Sequence, residues 1–298
     1  MKKDFLSIAD LTREEIYSIF ELAKELKAKQ KRSEPHLLLQ GKTMAMIFQK
    51  PSARTRISFE IGMYQLGGYA LYLGPNDVQV GKREAVSDIA RVISRYNDII
   101  MARLFGHEDI IELAEYATVP VINGLTDLLH PCQILSDAFT ILEHKGKIEN
   151  LTIAFIGDGN NVCNSWLNFA AKVPITLNLA YPDGYDPDKE ILSLAKRTNV
   201  SQIQIFHNPK LAAKNADVIY TDVWTSMGQE RETERRKMDF KGYQVDDSLI
   251  SHAHDDCLVM HCLLPTAATK SLIVSSMGPI PSFSMKRRTG CTSRRPSW

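Results

Sequence analysis

The chain has 298 residues, with 36 Lys and Arg against 35 Asp and Glu, for a formal net charge of +1. That length accommodates two compact α/β domains, and a balance so close to neutral supplies no global field to hold nucleic acid or an anionic membrane, so recognition must come from local charge. No apolar run approaches bilayer length, and the start Met1-Lys2-Lys3-Asp4-Phe5 lacks the apolar segment of a signal peptide, so a soluble, cytoplasmic protein is expected. The five cysteines, Cys132, Cys163, Cys257, Cys262 and Cys291, have no disulfide-like spacing and read as reduced thiols.

In chain order, Thr12 ahead of Arg13-Glu14-Glu15 reads as a helix N-cap, and Ile16, Ile19, Phe20, Leu22, Ala23 and Leu26 continue at helical spacing. A strand is expected near Thr43–Phe48, then a helix with Ile57, Phe59, Ile61, Met63 and Leu66 covering one side. A strand over 70–73, a helix over 87–96, a strand over 99–103, a helix over 110–116 and a strand over 119–123 follow. A helix over 131–144 leads into the apolar strand and glycine-rich turn of 151–159, and further strands are expected over 176–180, 203–206, 218–221 and 257–261. This alternation predicts an α/β protein of two doubly wound parallel-sheet domains. The first spans 1–147, the second 148–263, and 264–298 forms a tail. Ligands of open parallel sheets sit beyond the carboxyl ends of the strands, so the active site is expected in the cleft between the domains.

The segment Lys50-Pro51-Ser52-Ala53-Arg54-Thr55-Arg56 puts two hydroxyls and two guanidiniums just beyond the first strand. A helix starting there adds backbone N–H groups and a favourable dipole, which together make an anion cradle. A solvated basic helix cap is the plainer alternative. Arg103 ends a strand, and His130-Pro131-Cys132-Gln133 opens a helix. An arginine, an imidazole and a carboxamide can converge on one carbonyl oxygen and polarise it, although a lone histidine at a helix start is more often structural.

Gly157-Asp158-Gly159-Asn160-Asn161 lacks the third glycine of a dinucleotide fingerprint. Its amides suit a zwitterionic amino acid, and an Asn-rich turn is the equal alternative. Asp222, at the tip of a strand, can pair with an ammonium group, and the stretch 223–230 after it reads as a loop able to cover a substrate. The plainer alternative is an ordinary capped loop into a charged helix over 231–237, whose exposed face needs no function. His252, His254, Cys257, His261 and Cys262 fit no standard zinc spacing, and neighbours on a strand point to opposite faces, so no metal is expected. Cys262 beside Asp222 would orient an amine or take its proton.

Taken together and in this order, Ser52–Arg56, His130–Gln133, Gly157–Asn161, 222–229 and 261–263 resemble the ornithine carbamoyltransferase branch of the aspartate/ornithine carbamoyltransferase family. The discriminating stretch is Ser226-Met227-Gly228. The resemblance implies that Ser52, Ala53, Arg54 and Thr55 take the phosphate of carbamoyl phosphate and that Arg103, His130 and Gln133 hold its carbonyl. It implies that Gln79 reaches into a neighbouring subunit of a homotrimer. Asn161, Asp222, Ser226, Met227, Cys262 and Leu263 would bind L-ornithine, with Arg103, His130, Asp222 and Cys262 as the catalytic set. The implied reaction gives citrulline and phosphate, needs no metal or organic cofactor, and serves arginine biosynthesis. Another amine such as putrescine, or a catalytically impaired paralogue, are the competing readings.

Two departures from the family pattern stand out. Ala53 replaces the usual threonine and removes one hydroxyl donor. After Leu263 the family expects Pro, a His-Arg-Gly segment and a helical tail, whereas this chain runs Leu264-Pro265-Thr266-Ala267-Ala268-Thr269-Lys270 and ends without helical apolar period. Codons for that stretch, shifted by one base, can spell Ala-His-Arg-Gly-Asp-Glu, which points to a frameshift near the codon for Leu264.

Overall fold

The computed structural model describes residues 2–79, 81, 84–224, 232–262 and 274–275. After the single-turn 3-10 helix Ile8–Asp10 come α1 (Arg13–Lys31), β1 (Thr43–Phe48), α2 (Ala53–Gln65), β2 (Tyr69–Leu73), α3 (Val86–Ile93), β3 (Ile99–Arg103), α4 (His107–Tyr116), β4 (Val121–Leu125) and α5 (Pro131–Lys145). The second half continues β5 (Thr152–Ile156), α6 (Asn161–Ala170), β6 (Thr176–Ala180), α7 (Lys189–Arg197), β7 (Gln202–Phe206), α8 (Pro209–Ala213), β8 (Val218–Thr221), α9 (Thr233–Asp239), α10 (Asp247–Ile250), β9 (Leu258–His261) and β10 (Val274–Ser275). Among the described residues no helix is long and apolar enough to cross a membrane.

The strands form two sheets, β2-β1-β3-β4 and β10-β9-β8-β5-β6-β7, and every strand pairing within them is parallel. The expected two-sheet α/β architecture is therefore present. In each sheet the strand order reverses once, between β1 and β3 and between β5 and β8. At those two places the helices leave toward opposite faces and open a crevice at the strand ends. The central strands are buried almost throughout, as β1 shows with only Thr43 partly exposed, because helices cover both faces.

Boundaries moved by a residue or two at several points. The strand expected over 119–123 begins at Val121, because Pro120 precedes it and has no N–H for the ladder. Thr12 does cap α1, accepting from the Glu15 N–H while the Glu15 carboxylate accepts from the Thr12 N–H. The apolar stripe on α2 splits into two. Thr55 and Met63 are buried and Phe59 packs partly on the core, whereas Ile57, Ile61 and Tyr64 are exposed. Spacing of two places alternate residues on opposite sides of a helix, so the five apolar positions could not share one face.

Helices α1 and α5 tie the halves together. Ile16 and Phe20 of α1 and Ile134, Ala138 and Ile141 of α5 bury in the same core as Ile153, Phe155 and Trp166 of the second sheet's layer. The loop 126–130 and the start of α6 are also joined directly, since the Asn161 Nδ2 donates to the Thr126 carbonyl at 2.7 Å and the His130 N–H donates to the Ser165 Oγ at 2.8 Å.

Candidate active site

Both crevices carry the polar residues singled out from the sequence. At the first, Ser52 caps α2, its Oγ accepting from the Thr55 N–H at 3.3 Å. Ala53 and Arg54 form the exposed first turn, and Thr55 turns inward. Arg103, at the end of β3, is 6% exposed and donates through Nη1 to the Thr55 Oγ1 at 3.4 Å. Its Nε has no hydrogen-bond partner, and no carboxylate among the described residues pairs with Arg103 or Arg54. Burial, then the like charge of Arg54, lowers the Arg103 guanidinium to about 10, so it is still cationic at neutral pH. Two cations at a helix N-terminus with no counter-charge form a site prepared for an anion.

Arg56 does not join this set. Its guanidinium lies 4.0 Å from the centre of the Tyr72 ring and its Nε donates to Glu60 at 3.0 Å. The helical twist that turns Thr55 inward sends Arg56 to the outer side, so the second arginine of the motif packs rather than faces the cradle. Lys50, which the motif reading left unused, is buried, paired with Asp127 and placed 4.6 Å from the Phe105 ring. It fastens the cradle's entry to the loop that delivers His130.

His130 caps α5 by position but makes no side-chain cap bond, and its buried Nδ1 has no hydrogen-bond partner. Burial, then Arg103, lowers the imidazole to about 3, which holds it neutral. A neutral ring can donate one N–H to a carbonyl without adding a third positive charge. Gln133, one turn into α5, donates through Nε2 to both oxygens of Asp137, at 3.2 and 3.1 Å. Gln79 is exposed in the segment that follows β2, the edge strand of the first sheet.

At the second crevice Asp222, just past β8, is almost sealed. Its Oδ1 accepts from the Val223 N–H at 2.6 Å and from the Cys262 thiol, and its Oδ2 accepts from the Asn160 Nδ2 at 2.7 Å. Burial, then Asp222, pushes the Cys262 thiol well above its ordinary range. A thiol so held is a donor to Asp222 and no base, so of the two roles read from sequence the geometry favours orientation. Asn160 also caps α6 through its Oδ1, accepting from the N–H groups of Val162 and Cys163 at 2.9 and 3.3 Å. Asn161, the expected ornithine ligand, donates through Nδ2 to the Thr126 carbonyl at 2.7 Å.

Ser226, Met227 and Leu263 lie outside the described residues, as does the tail 264–298 apart from the backbone of Val274–Ser275, which pairs with β9. Asp222, His261 and Cys262 bring their ligand atoms within 4.8 Å of one another. The expectation that His261 and Cys262 point to opposite faces does not hold, because β9 ends at His261 and strand alternation stops there.

Sequence reasoning missed Arg236. It lies in the charged helix whose exposed face called for no function, yet it is 7% exposed, donating to Asp158 at 2.6 Å, to the Trp224 carbonyl at 2.9 Å and to Glu232 at 3.0 Å. A charge in a charged helix carries no mark of burial, and Asp158 beside the glycine turn was the one available hint. Gly159 next to it is irreplaceable on steric grounds, since a Cβ there would lie 2.2 Å from the Pro187 nitrogen.

Residues 3–143 match the family model of the aspartate/ornithine carbamoyltransferase carbamoyl-P binding domain, and 149–270 match that of the Asp/Orn binding domain. The chain belongs to the aspartate/ornithine carbamoyltransferase family. It is 54% identical over 263 residues to an ornithine carbamoyltransferase of Syntrophus aciditrophicus, covering 88% of this chain and 87% of that one. It is 52% identical over 262 residues to the chloroplastic ornithine carbamoyltransferase of Pisum sativum, covering 88% and 70%. Its fold matches the ornithine carbamoyltransferase structure from Pyrococcus furiosus with a TM-score of 0.83 at 48% identity, covering 89% of this chain and 85% of that one.

Proposed function

We propose that this family member transfers the carbamoyl group of carbamoyl phosphate to the δ-amine of L-ornithine, giving L-citrulline and phosphate. The observation that carries the reading is the buried Arg103, unpaired beside Arg54 and the Ser52-capped helix start, with a neutral His130 on the same side. Ser52, the Ala53 N–H, Arg54 and Thr55 take the phosphate, while Arg103, His130 and Gln133 surround the carbamoyl group. The δ-nitrogen forms a bond to the carbamoyl carbon, the bond from that carbon to the phosphate oxygen breaks with its electron pair leaving on phosphate, and the phosphate accepts the proton that nitrogen gives up. Negative charge growing on the carbamoyl oxygen meets donors already in place, so positioning and electrostatics supply the rate without a cofactor.

Asp222, oriented by Asn160 and Cys262, receives the ornithine ammonium, with Asn161, Ser226, Met227 and Leu263 completing that side. Ornithine is preferred over aspartate because the relatives at about half identity carry the ornithine name. The division into 1–147, 148–263 and a tail 264–298 follows the same assignment, as do a cytoplasmic location and a place in arginine biosynthesis. A homotrimer is supported by the exposed apolar face of Ile57, Ile61 and Tyr64 on α2, beside Tyr69 and Leu71 of the edge strand, and Gln79 would reach across that contact.

The test is purified chain with carbamoyl phosphate and ornithine, with citrulline measured and putrescine run in parallel. Citrulline formation is expected. A product from putrescine alone would move the reading to another amine, and no product from a folded assembly would point to the impaired paralogue. The altered tail has its own test: resequencing the gene should reveal a one-base difference near the codon for Leu264, and the reframed chain should be the more active. An intact frame would refute the frameshift.

A further inference from the structure

Every residue of α6 from Val162 onward is buried, yet one face of the helix is polar. Asn161, Asn164, Ser165 and Asn168 recur at the three- and four-residue spacing of a single side. Apolar side chains would bury there at lower cost, so the stripe needs partners. Asn161, Asn164 and Ser165 find them in the backbone of one loop. Asn161 donates to the Thr126 carbonyl, Asn164 donates through Nδ2 to the Leu128 carbonyl at 3.1 Å, and the Ser165 Oγ accepts from the His130 N–H. Asn168 bonds elsewhere, donating to the Ser7 Oγ at 3.1 Å.

That loop, 126–130, is held from both halves. From the first half, the His107 Nδ1 and the Thr126 Oγ1 are hydrogen-bonded at 2.9 Å, the Asp127 N–H donates to the Phe105 carbonyl at 3.0 Å, and Lys50 pairs with Asp127. These ties end at Asp127. Among the described residues, the side-chain bonds that reach Leu128 and His130 come from α6. His130 has φ −135° and ψ 65°, the backbone of neither helix nor strand, so no regular ladder fixes its N–H. Ser165 does so with both of its capacities assigned. Its hydroxyl hydrogen goes to the Asn161 carbonyl at 2.7 Å, which leaves a lone pair for the His130 N–H at 2.8 Å.

We propose that Ser165, assisted by Asn164, is a positioning residue that sets where His130 stands against the carbamoyl group. The inference rests on the functional reading above. It makes α6 common to both crevices: Asn160, which caps the helix, orients Asp222, and Ser165, one turn further in, holds the residue that meets the carbamoyl oxygen.

The experiment is a double-mutant cycle in the full chain. Ser165→Ala removes the acceptor of the His130 N–H and should lower kcat by roughly tenfold or more, with the KM for ornithine within about twofold. In a His130→Ala background the same substitution should cost less than about twofold in kcat, because Ser165 acts through that imidazole. Asn168→Ala removes the stripe member bonded outside the loop and should leave kcat within about twofold. Unchanged kinetics in Ser165→Ala, losses that multiply with His130→Ala, or an equal loss in Asn168→Ala overturn the proposal. If Ser165→Ala does not fold, Asn164→Ala takes its place and must show the same non-additivity. The unmodified chain is assayed first, and absence of citrulline there fails the functional reading alone. Positioning is then judged by the nitrogen-15 signals of the His130 ring, assigned by their loss in His130→Ala. They should shift in Ser165→Ala and stay in place in Asn168→Ala; identical ring signals in Ser165→Ala and the unmodified chain overturn the proposal.

Discussion

The chemistry of Arg103 depends on what it lacks. A guanidinium that is nearly buried and has no carboxylate beside it among the described residues destabilises the free protein and gains most when an anion arrives. Arg103→Met is therefore expected to lower kcat/KM by about 10²- to 10³-fold, as loss of an oxyanion donor does, with no fall in Tm. A thermal melt alongside the kinetics checks both halves, and a large drop in Tm would contradict the account. His130 and Asp137 give stability opposite dependences on pH. The imidazole falls from 6.5 to about 3 on folding, so the unfolded chain binds the extra proton and stability from this group is complete above 6.5 and lost as pH falls toward 3. Asp137 rises from 3.8 to about 8, so the folded chain holds the proton and its contribution is complete below 3.8 and lost as pH rises through 8. Urea unfolding at pH 6.5 and 8.5 should show a smaller alkaline loss in Asp137→Asn than in the unmodified chain.

At the scale of elements, helix starts do most of the work of placing polar groups. Ser52 and Asn160 each satisfy N–H groups of a first turn and, in doing so, are held at the end of a central strand. Asn160 has a second task in orienting Asp222. Asn160→Ala should cost about 1 kcal/mol as a lost cap and also free the Asp222 carboxylate, raising the KM for ornithine while leaving that for carbamoyl phosphate near its starting value. Equal changes in both constants would show that the cap alone matters. The cap at Thr12 was legible in the sequence, because a Thr ahead of an acidic first turn announces a helix start, whereas Ser52 and Asn160 were read as donors to a ligand and only the structure shows them as caps. The facing of α2 was not, since Ile57 and Met63 look alike until the sheet and the solvent choose between them. The burial of Arg236 in α9 was equally silent, as its partner Asp158 is far away in sequence.

For the whole molecule, the decisive feature is that both strand-order reversals open toward one another across α5 and the loop before it. His130 and Asn161 bond to residues of the other half, so the crevices are held in a common frame. The exposed face of α2 makes the proposed homotrimer testable. Ile61→Glu should convert the complex to monomers in sedimentation velocity and reduce citrulline formation while leaving the far-ultraviolet circular dichroism unchanged. Retention of the complex would remove α2 from the interface.

Local chemistry in the chain was enough to determine the alternation of strands and helices, the helix start just beyond the first strand, the strand-end Arg103 and the α/β class, since these depend on neighbours a few residues apart. What only the tertiary structure decided is which donors are already spent. Asn161 donates to Thr126, Asn160 donates to Asp222, Arg56 lies on Tyr72, and Gln133 donates to Asp137. The reason is physical: a hydrogen bond or a buried ion pair joins groups by distance in space, and a parallel sheet brings together strand ends separated by dozens of residues, so no local pattern can show which partner each polar side chain will meet.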